Sequence, residues 1–314
     1  MNAVVTEFGY NQYPKRNCRL KKPIRNMLPI LFGILTSFCF AIASLLAQRG
    51  YHLDAAPWGA WITLVGNSAL LLAAHFLLYP DTHVFALDNL IFVGVGLFVP
   101  GVTRVLSFRG VRVMGSSVTS TIVNTTPVFS TLLAIVFLGE RPGPLVIAGV
   151  LLTVSGLVTV SWVGAAASYR KIELIFPFLC ALIFSLKDVT VRWGLGGVGG
   201  QPIFAAAIAA VTSTAEIFLI FRYIQGEKFV LPPFHVARWF IWSGVFTGGS
   251  FLFMYLAFSM EQVSIVAPLI NSYVVFVLLL TPFMARRIES ITWRKVIGAA
   301  MVVAGIFLVS TGRS

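Results

Sequence analysis

Four ionisable side chains lie within long apolar stretches of the chain: Arg104, Lys187, Asp188 and Glu216. A charge at the centre of a membrane helix costs about 2.5–3.5 kcal/mol on insertion scales, so such residues normally face a cavity or a partner. The Arg104 guanidinium can hold a carboxylate or a phosphate in bidentate geometry. Alternatively, it can extend to lipid headgroups, because it lies near the end of its apolar block. These residues are the first candidates for ligand contacts.

Lys187 and Asp188 are adjacent, and Arg192 follows Asp188 by four residues. In a helix, this spacing places Asp188 and Arg192 on one face, where they can form an ion pair. Lys187 is rotated by about 100° from Asp188. We therefore expect Lys187 to remain available for an anion or a carboxylate. The alternatives are that Lys187 extends to the headgroups or pairs with Glu216.

Glu216 has no charged neighbour at helical spacing in its own apolar block. A carboxyl group removed from water can take up a proton and carry it in step with a ligand. It can equally pair with Lys187 or Arg222. Coupling and pairing are therefore the two roles open to Glu216 and, in the same way, to Asp188.

Two prolines, Pro127 and Pro268, interrupt the fourth and the ninth apolar block. Each proline removes a backbone donor and frees a carbonyl oxygen one turn earlier. Asn124 and Asn271 lie near them, together with several serines and threonines. In corresponding helices of a repeated structure, such interruptions indicate a binding cavity. The alternative is hydrogen bonding between helices, worth about 0.6 kcal/mol on average.

The apolar blocks are long enough to cross a bilayer, which takes about 20 mostly apolar residues. Charges and turn residues divide the chain into ten predicted spans: Leu28–Gln48, Pro57–Tyr79, Leu90–Phe108, Val113–Leu138, Pro144–Gly164, Leu174–Trp193, Pro202–Tyr223, Trp239–Ser259, Val263–Ala285 and Trp293–Thr311. The blocks are continuously apolar, whereas the strands of a membrane barrel alternate. The sequence therefore predicts an all-α integral membrane protein of about ten transmembrane helices.

The composition supports this prediction and argues against several other classes of protein. Of 314 residues, 58% are hydrophobic and 11% charged, compared with about 25% charged in a soluble domain. The net charge is +12, but the basic residues lie between the apolar blocks, where they meet lipid headgroups. We therefore expect the lipid bilayer, and not nucleic acid, as a partner. The histidines are scattered and no hydrolase, metalloprotease or nucleotide-loop motif is present, so we expect no enzyme, no cofactor and no metal.

The first 26 residues form a tail with six basic residues. The positive-inside rule places this tail, and with ten spans both termini, in the cytoplasm. The remaining loops carry more basic residues on the opposite side, so the charge pattern is mixed. A plasma membrane or a bacterial inner membrane is the expected location.

The two halves of the chain resemble each other. Glu140, Gly149 and Gly156 are separated by nine and seven residues, and the second half repeats this spacing at Glu289, Gly298 and Gly305. Two five-helix units follow, at residues 27–165 and 172–312. Because each unit has an odd number of spans, the second is inverted in the membrane, as in secondary transporters. The glycine faces predict close helix packing, within one chain or between the chains of a homodimer.

The stretch from Ser107 to Ser161 closely resembles the EamA-like domain of the drug/metabolite transporter superfamily. The characteristic parts are Thr126-Pro127-Val128-Phe129, the turn Leu138-Gly139-Glu140-Arg141, and the helix that contains Gly149 and Gly156. The second copy keeps Pro268, Glu289, Gly298 and Gly305 but departs from the turn motif at residues 284–287. The resemblance implies a ten-helix carrier that works by alternating access on amino acids, drugs or other metabolites. It also implies a structural, helix-capping role for the turn.

Together these features predict a secondary transporter of a small organic metabolite, with its cavity between the halves. Arg104, Asn124, Lys187 and Asn271 are the expected substrate contacts, and the two cations favour an amino acid or another solute with a carboxylate. A proton-coupled drug exporter, which needs an acid such as Glu216 or Asp188, is the nearest alternative. An ion channel or a membrane enzyme represents the other classes, for which no selectivity filter or catalytic cluster was found.

Overall fold

The computed structural model describes residues 22–54, 57–79, 89–161, 171–197, 201–226, 228–284 and 292–312. In these ranges it has α-helices and no strand. The helices are α1 Lys22–Leu53, α2 Gly59–Leu78, α3 Leu90–Gly96, α4 Thr103–Val123, α5 Thr126–Leu138, α6 Pro144–Ser161, α7 Ile175–Gly197, α8 Pro202–Leu219, α9 Phe234–Met260, α10 Val263–Asn271, α11 Tyr273–Met284 and α12 Trp293–Thr311. Short π-helical segments follow α3 at Leu97–Val102 and α8 at Ile220–Ile224. The sequence prediction for Glu289 lies outside the described residues.

Among the described residues, nine helical stretches are long and apolar enough to cross a membrane, and Leu90–Pro100 is a shorter apolar helix. Their outer faces expose large apolar side chains: Phe76, Phe137 and Phe283 are 55%, 65% and 86% exposed. Such a surface suits lipid and not water. The prediction of an all-α membrane protein of about ten helices is confirmed.

The connection predicted at residues 109–112 comes too early in the chain, because these residues are still helical. A Cβ atom on Gly110 would lie 3.0 Å from the Thr119 side chain, whereas nine residues of straight helix span about 13 Å. The chain therefore reverses direction between Gly110 and Thr119, and the range assigned to α4 runs across this reversal. The fourth crossing then begins at Val118. Arginine is a good helix former, so the arginines of the predicted connection did not end the helix.

Helices α6 and α12 pack together along their glycine faces. A Cβ atom on Gly149 would lie 2.7 Å from the Gly305 carbonyl oxygen, and one on Gly305 would lie 2.7 Å from the Gly149 oxygen. Gly156 and Gly298 make the same reciprocal contact at 2.6 and 2.7 Å. Each helix belongs to a different repeat, so the contacts show an internal pseudo-twofold relation. The predicted glycine packing therefore occurs within the chain, and a homodimer would need another surface.

The turn after α5 joins the two repeats through Glu140. Gly139 ends α5 in the left-handed region, at φ 66°, which glycine adopts without strain. The buried Glu140 carboxylate then accepts the backbone N–H groups of Val263 and Ser264 at 2.7 and 3.0 Å, and the Ser264 hydroxyl at 2.7 Å. An anion at a helix N-terminus satisfies unpaired N–H groups and the helix dipole. Glu140 of the first repeat is thus the N-terminal cap of α10 in the second.

Candidate functional site

A cavity of about 440 Å³ lies between the repeats, within the range of about 300–1,000 Å³ that is typical of small-molecule sites. Both repeats line it, the first through residues of α1 to α5 and the second through residues of α7 to α11. Four of the residues named from sequence are on its wall: Asn124, Lys187, Asp188 and Asn271. The packing of inverted repeats therefore brings together groups that are up to 147 residues apart.

The cavity wall combines aromatic rings with uncharged polar groups. The aromatic residues include Phe40, Tyr51, Phe184, Phe251, Tyr255 and Tyr273. The uncharged polar residues include Thr63, Asn67, Thr126, Ser213, Ser243 and Ser250. A largely apolar wall with a few polar groups gives a ligand both burial and orientation.

Lys187 and Asp188 form an ion pair at the cavity, which corrects the expectation that Lys187 remains unpaired. The Lys187 Nζ lies 2.7 Å from Asp188 Oδ1, and the two side chains are 12% and 6% exposed. Asp188 Oδ2 also accepts the hydroxyl of Ser130 in α5, at 2.9 Å. The angular argument failed because a lysine side chain is long and flexible enough to bend back across one helix face.

Arg192 does not form the ion pair with Asp188 that its spacing predicted. Its guanidinium donates to the backbone oxygen of Phe258 in α9, at 2.6 Å. Asp188 instead receives Lys187 and Ser130. The arginine therefore connects α7 to the end of α9, and the aspartate faces the cavity.

The fourth and ninth crossings are each built from two helices, and each break lies at the cavity. Asn124 and Thr125 separate α4 from α5, and Ser272 separates α10 from α11. Asn124 donates to the Ser161 hydroxyl at 2.7 Å, and Asn271 donates to the Ala267 oxygen at 2.9 Å. Each asparagine thus has one amide hydrogen bond to protein while lining the cavity.

Pro127 and Pro268 are not among the residues that line the cavity. Pro127 lies in the first turn of α5, where its missing N–H costs nothing. Pro268 lies inside α10, one turn before the break at Ser272. Each proline therefore lies next to a helix break, and the neighbouring asparagine lines the cavity.

A further break, which the sequence analysis missed, lies in the third crossing. Val99 leaves the helical region, at φ −132° and ψ 118°, just before Pro100, and both residues line the cavity. The Ser213 hydroxyl of α8 lies within hydrogen-bond distance of the carbonyl oxygens of Gly96 and Val99, at 3.0 and 2.9 Å. The signal was present in the sequence as a proline and a glycine at positions 100 and 101.

The other two ionisable residues predicted from the sequence, Arg104 and Glu216, are not among the described residues that line the cavity. Arg104 lies in the first turn of α4, but its side chain is outside what the structure describes. Glu216 lies in α8, partly buried, and is not among the residues lining the cavity. Its coupling role stays a prediction.

Two buried polar groups of the wall were not singled out from sequence. The Tyr255 hydroxyl and the Asn67 Oδ1 atom have no hydrogen-bond partner among the described residues. Their side chains are 0% and 1% exposed, and both line the cavity. Buried polar atoms normally have partners, so these two are available to a bound molecule.

Comparison with known proteins agrees with this architecture. A protein of known crystal structure superimposes with a TM-score of 0.74 and 18% identity, over 89% of this chain and 94% of its own. At this identity the likeness concerns the fold. No curated protein matches the chain. Residues 27–162 and 171–311 each match the EamA-like transporter family, so the chain belongs to that family and is a multi-pass membrane transporter of the drug/metabolite transporter superfamily.

Proposed function

We propose that the chain is a secondary carrier for a small zwitterionic solute with a carboxylate, an amino acid or a close analogue. The observation that carries the proposal is the buried Lys187–Asp188 pair on the wall of a cavity between inverted repeats. Inverted repeats with a central site support alternating access as the transport mechanism.

The ion pair favours a zwitterion over a simple anion. Taken together, Lys187 and Asp188 carry no net charge, so a lone anion would meet the attraction of one and the repulsion of the other. A zwitterion can place its carboxylate on Lys187 and its ammonium on Asp188, replacing one buried pair with two. Buried charges are stable only when paired, so this exchange of partners leaves no charge uncompensated.

The rest of the wall fits the remainder of such a solute. Six aromatic side chains around a 440 Å³ space can pack against an apolar substituent. Asn124, Asn271 and Thr126 can bind further polar atoms. We therefore expect transport of amino acids with large apolar side chains to exceed that of dicarboxylates.

A proton-coupled exporter of cationic drugs is the second candidate, because Asp188 faces the cavity. In that case Asp188 would exchange a proton for the cation, and Lys187 would oppose substrate binding. The Lys187→Met variant then separates the two candidates. It would abolish exchange of a zwitterion but leave or improve exchange of a cation.

The test is counterflow in proteoliposomes. Vesicles loaded with unlabelled amino acids are mixed with one labelled amino acid, using wild type, Lys187→Met, Asp188→Asn and the double variant. We expect saturable exchange in wild type and a loss of at least tenfold in all three variants. Lys228→Met makes the same change at an exposed lysine and should exchange normally. Full exchange in Lys187→Met would contradict the role of this pair.

A further inference from the structure

The cavity lies toward one side of the membrane. Its lining residues on α1 run from Phe40 to Tyr51, in the C-terminal half of that helix, and those on α2 run from Ala60 to Asn67, in the N-terminal half. The Tyr51 side chain is 41% exposed. The side of the membrane where α1 ends and α2 begins is therefore called the open side.

Packed helices close the opposite side. Phe240 in α9 contacts Tyr51 on the open side, with ring centroids 4.8 Å apart. Phe258 follows Phe240 by 18 residues, which is about 27 Å along a helix. Phe258 and the residues from Val263 to Leu269 in α10 are buried, and none of them is among the described residues that line the cavity. The cavity therefore ends before the corner between α9 and α10, residues 258–264.

Two charged side chains bind this α9–α10 corner. The Arg192 guanidinium donates to the Phe258 oxygen at 2.6 Å, and the Glu140 carboxylate accepts the N–H groups of Val263 and Ser264 at 2.7 and 3.0 Å. These backbone groups belong to the last turn of α9 and the first turn of α10, where a helix offers them no partner of its own. A cation at the carboxyl end of one helix and an anion at the amino end of the next also match the helix dipoles.

Both contacts cross from one wall of the cavity to the other. The first wall contains α5 and α7, which are joined by the hydrogen bond from Ser130 to Asp188. The second wall contains α9, whose Ser243 donates to a carbonyl oxygen of α1 at 2.8 Å, and α10, which follows α9 after a short connection. Arg192 and Glu140 belong to the first wall, and their partners lie at the end of the second.

We propose that the α9–α10 corner is the gate that closes the cavity opposite its open side, and that Arg192 and Glu140 hold this gate closed. A carrier releases its solute on both sides of the membrane, so the two walls must separate at the corner; this step rests on the proposed carrier function. Arg141, next to Glu140, is exposed, so the corner lies near the surface. Water can therefore hydrate the released guanidinium and carboxylate, and the gate opens without leaving a buried unpaired charge.

The test measures access to the cavity from each side and needs no solute. Thr247 lines the cavity at the middle of α9, and Thr247→Cys is made in the full chain after its three native cysteines are replaced by alanine. A membrane-impermeant thiol reagent is added to one side of proteoliposomes, and protease access to a C-terminal tag identifies that side. In this parent protein we expect fast labelling from the open side and slow labelling from the side of the corner.

Arg192→Met and Glu140→Gln, alone and together, should raise the labelling rate from the side of the corner by about fivefold or more. The loss of one or two hydrogen bonds shifts a two-state equilibrium by a factor of about 5–30. Gly156→Ala is the control, because it disturbs the contact between α6 and α12 and leaves both charged contacts in place. It should not change labelling from either side. If Glu140→Gln does not fold, Arg192→Met decides alone.

Unchanged labelling from the side of the corner in both single variants, or an equal rise in Gly156→Ala, would overturn the gate. Equal labelling of the parent protein from both sides would also overturn it, because the corner would then not close the cavity. Faster labelling in the variants, with no counterflow of any amino acid, would uphold the gate and reject the proposed solute.

Discussion

At the scale of single residues, the cavity wall includes buried polar atoms that have no hydrogen-bond partner among the described residues. Tyr255 lies in α9 with its ring against Phe92 and Phe251, and its hydroxyl has no partner among the described residues. A buried, unsatisfied hydroxyl costs about 1–3 kcal/mol. Such a group is retained at a cost to stability, which fits a contact that forms only with ligand.

Tyr255→Phe should therefore raise the stability of the protein and lower its transport. We expect the free energy of unfolding to increase by about 1 kcal/mol, because an unsatisfied group is removed with little change in shape. Exchange of a labelled amino acid should fall several-fold in the same preparation. Tyr223→Phe, at a position that is 74% exposed, should change neither quantity. A lower melting temperature in Tyr255→Phe would mean that the hydroxyl has a protein partner after all.

The Lys187–Asp188 pair gives a second prediction at this scale. Breaking a buried ion pair leaves one uncompensated charge and costs about 3–5 kcal/mol, whereas removing both partners costs much less. Lys187→Met and Asp188→Asn should each lower the melting temperature more than the double variant does. Thermal denaturation of all three proteins in the same lipid is the measurement. Strictly additive losses would show that the two side chains do not interact.

At the scale of elements, Glu140 fixes the position of α10 relative to the first repeat. In Glu140→Gln, the amide oxygen can replace only one carboxylate oxygen, and the charge at the helix N-terminus is lost. We expect a destabilisation of about 1.5–3 kcal/mol, as for hydrogen bonds to charged groups. Ser264→Ala should cost less, because the two backbone hydrogen bonds remain. Chemical or thermal unfolding with both variants tests the order, and a larger loss in Ser264→Ala would refute the capping role.

The contact between α6 and α12 depends on the absence of side chains. A Cβ atom on Gly156 would lie 2.6 Å from the Gly298 backbone oxygen, which cannot move aside as a side chain would. Gly156→Ala should therefore destabilise the protein by about 1–3 kcal/mol. Gly94→Ala is the control, because Gly94 is helical and a Cβ atom there would have nothing within 4 Å. That variant should be neutral or slightly stabilising, since alanine favours the helix.

At the scale of the whole molecule, the ten crossings predicted from the sequence would place both termini on one side of the membrane. The basic tail predicts that this side is the cytoplasm. Alkaline phosphatase fused after Gly312 should be inactive, and the same enzyme fused after Ser161, following five crossings, should be active. The opposite pair of results would reverse the orientation. Equal activity at both positions would contradict the count of crossings.

The inverted repeat also explains why the breaks meet in one place. The fourth and ninth crossings are both divided, at Asn124–Thr125 and at Ser272, and a hydroxyl of the opposite repeat lies against each break. Ser185 of α7 contacts the Thr126 oxygen, and Ser37 of α1 contacts Leu269 and Ile270. The two repeats thus fix each other's interrupted helices at the cavity wall.

The sequence by itself determined the features that follow from one-dimensional patterns. Apolar blocks of about 20 residues specify membrane helices because lipid offers the backbone no other partner. The shared spacing of Glu140, Gly149 and Gly156 with the second half specified the repeat, and the family resemblance followed from the same segments. Polar residues beside the breaks, Asn124 and Asn271, also followed from local composition.

Only the tertiary structure decided which groups meet. The Glu140 cap joins residues 123 and 124 positions apart, Ser130 meets Asp188 across 58, and Ser37 meets Leu269 across 232. Such contacts depend on the rotation and crossing of packed helices, which a single sequence does not encode in its local spacing. Lysine flexibility likewise overrode the helical angle between Lys187 and Asp188. The spans were therefore readable from hydropathy, whereas the ion pair and the Glu140 cap required the packed helices.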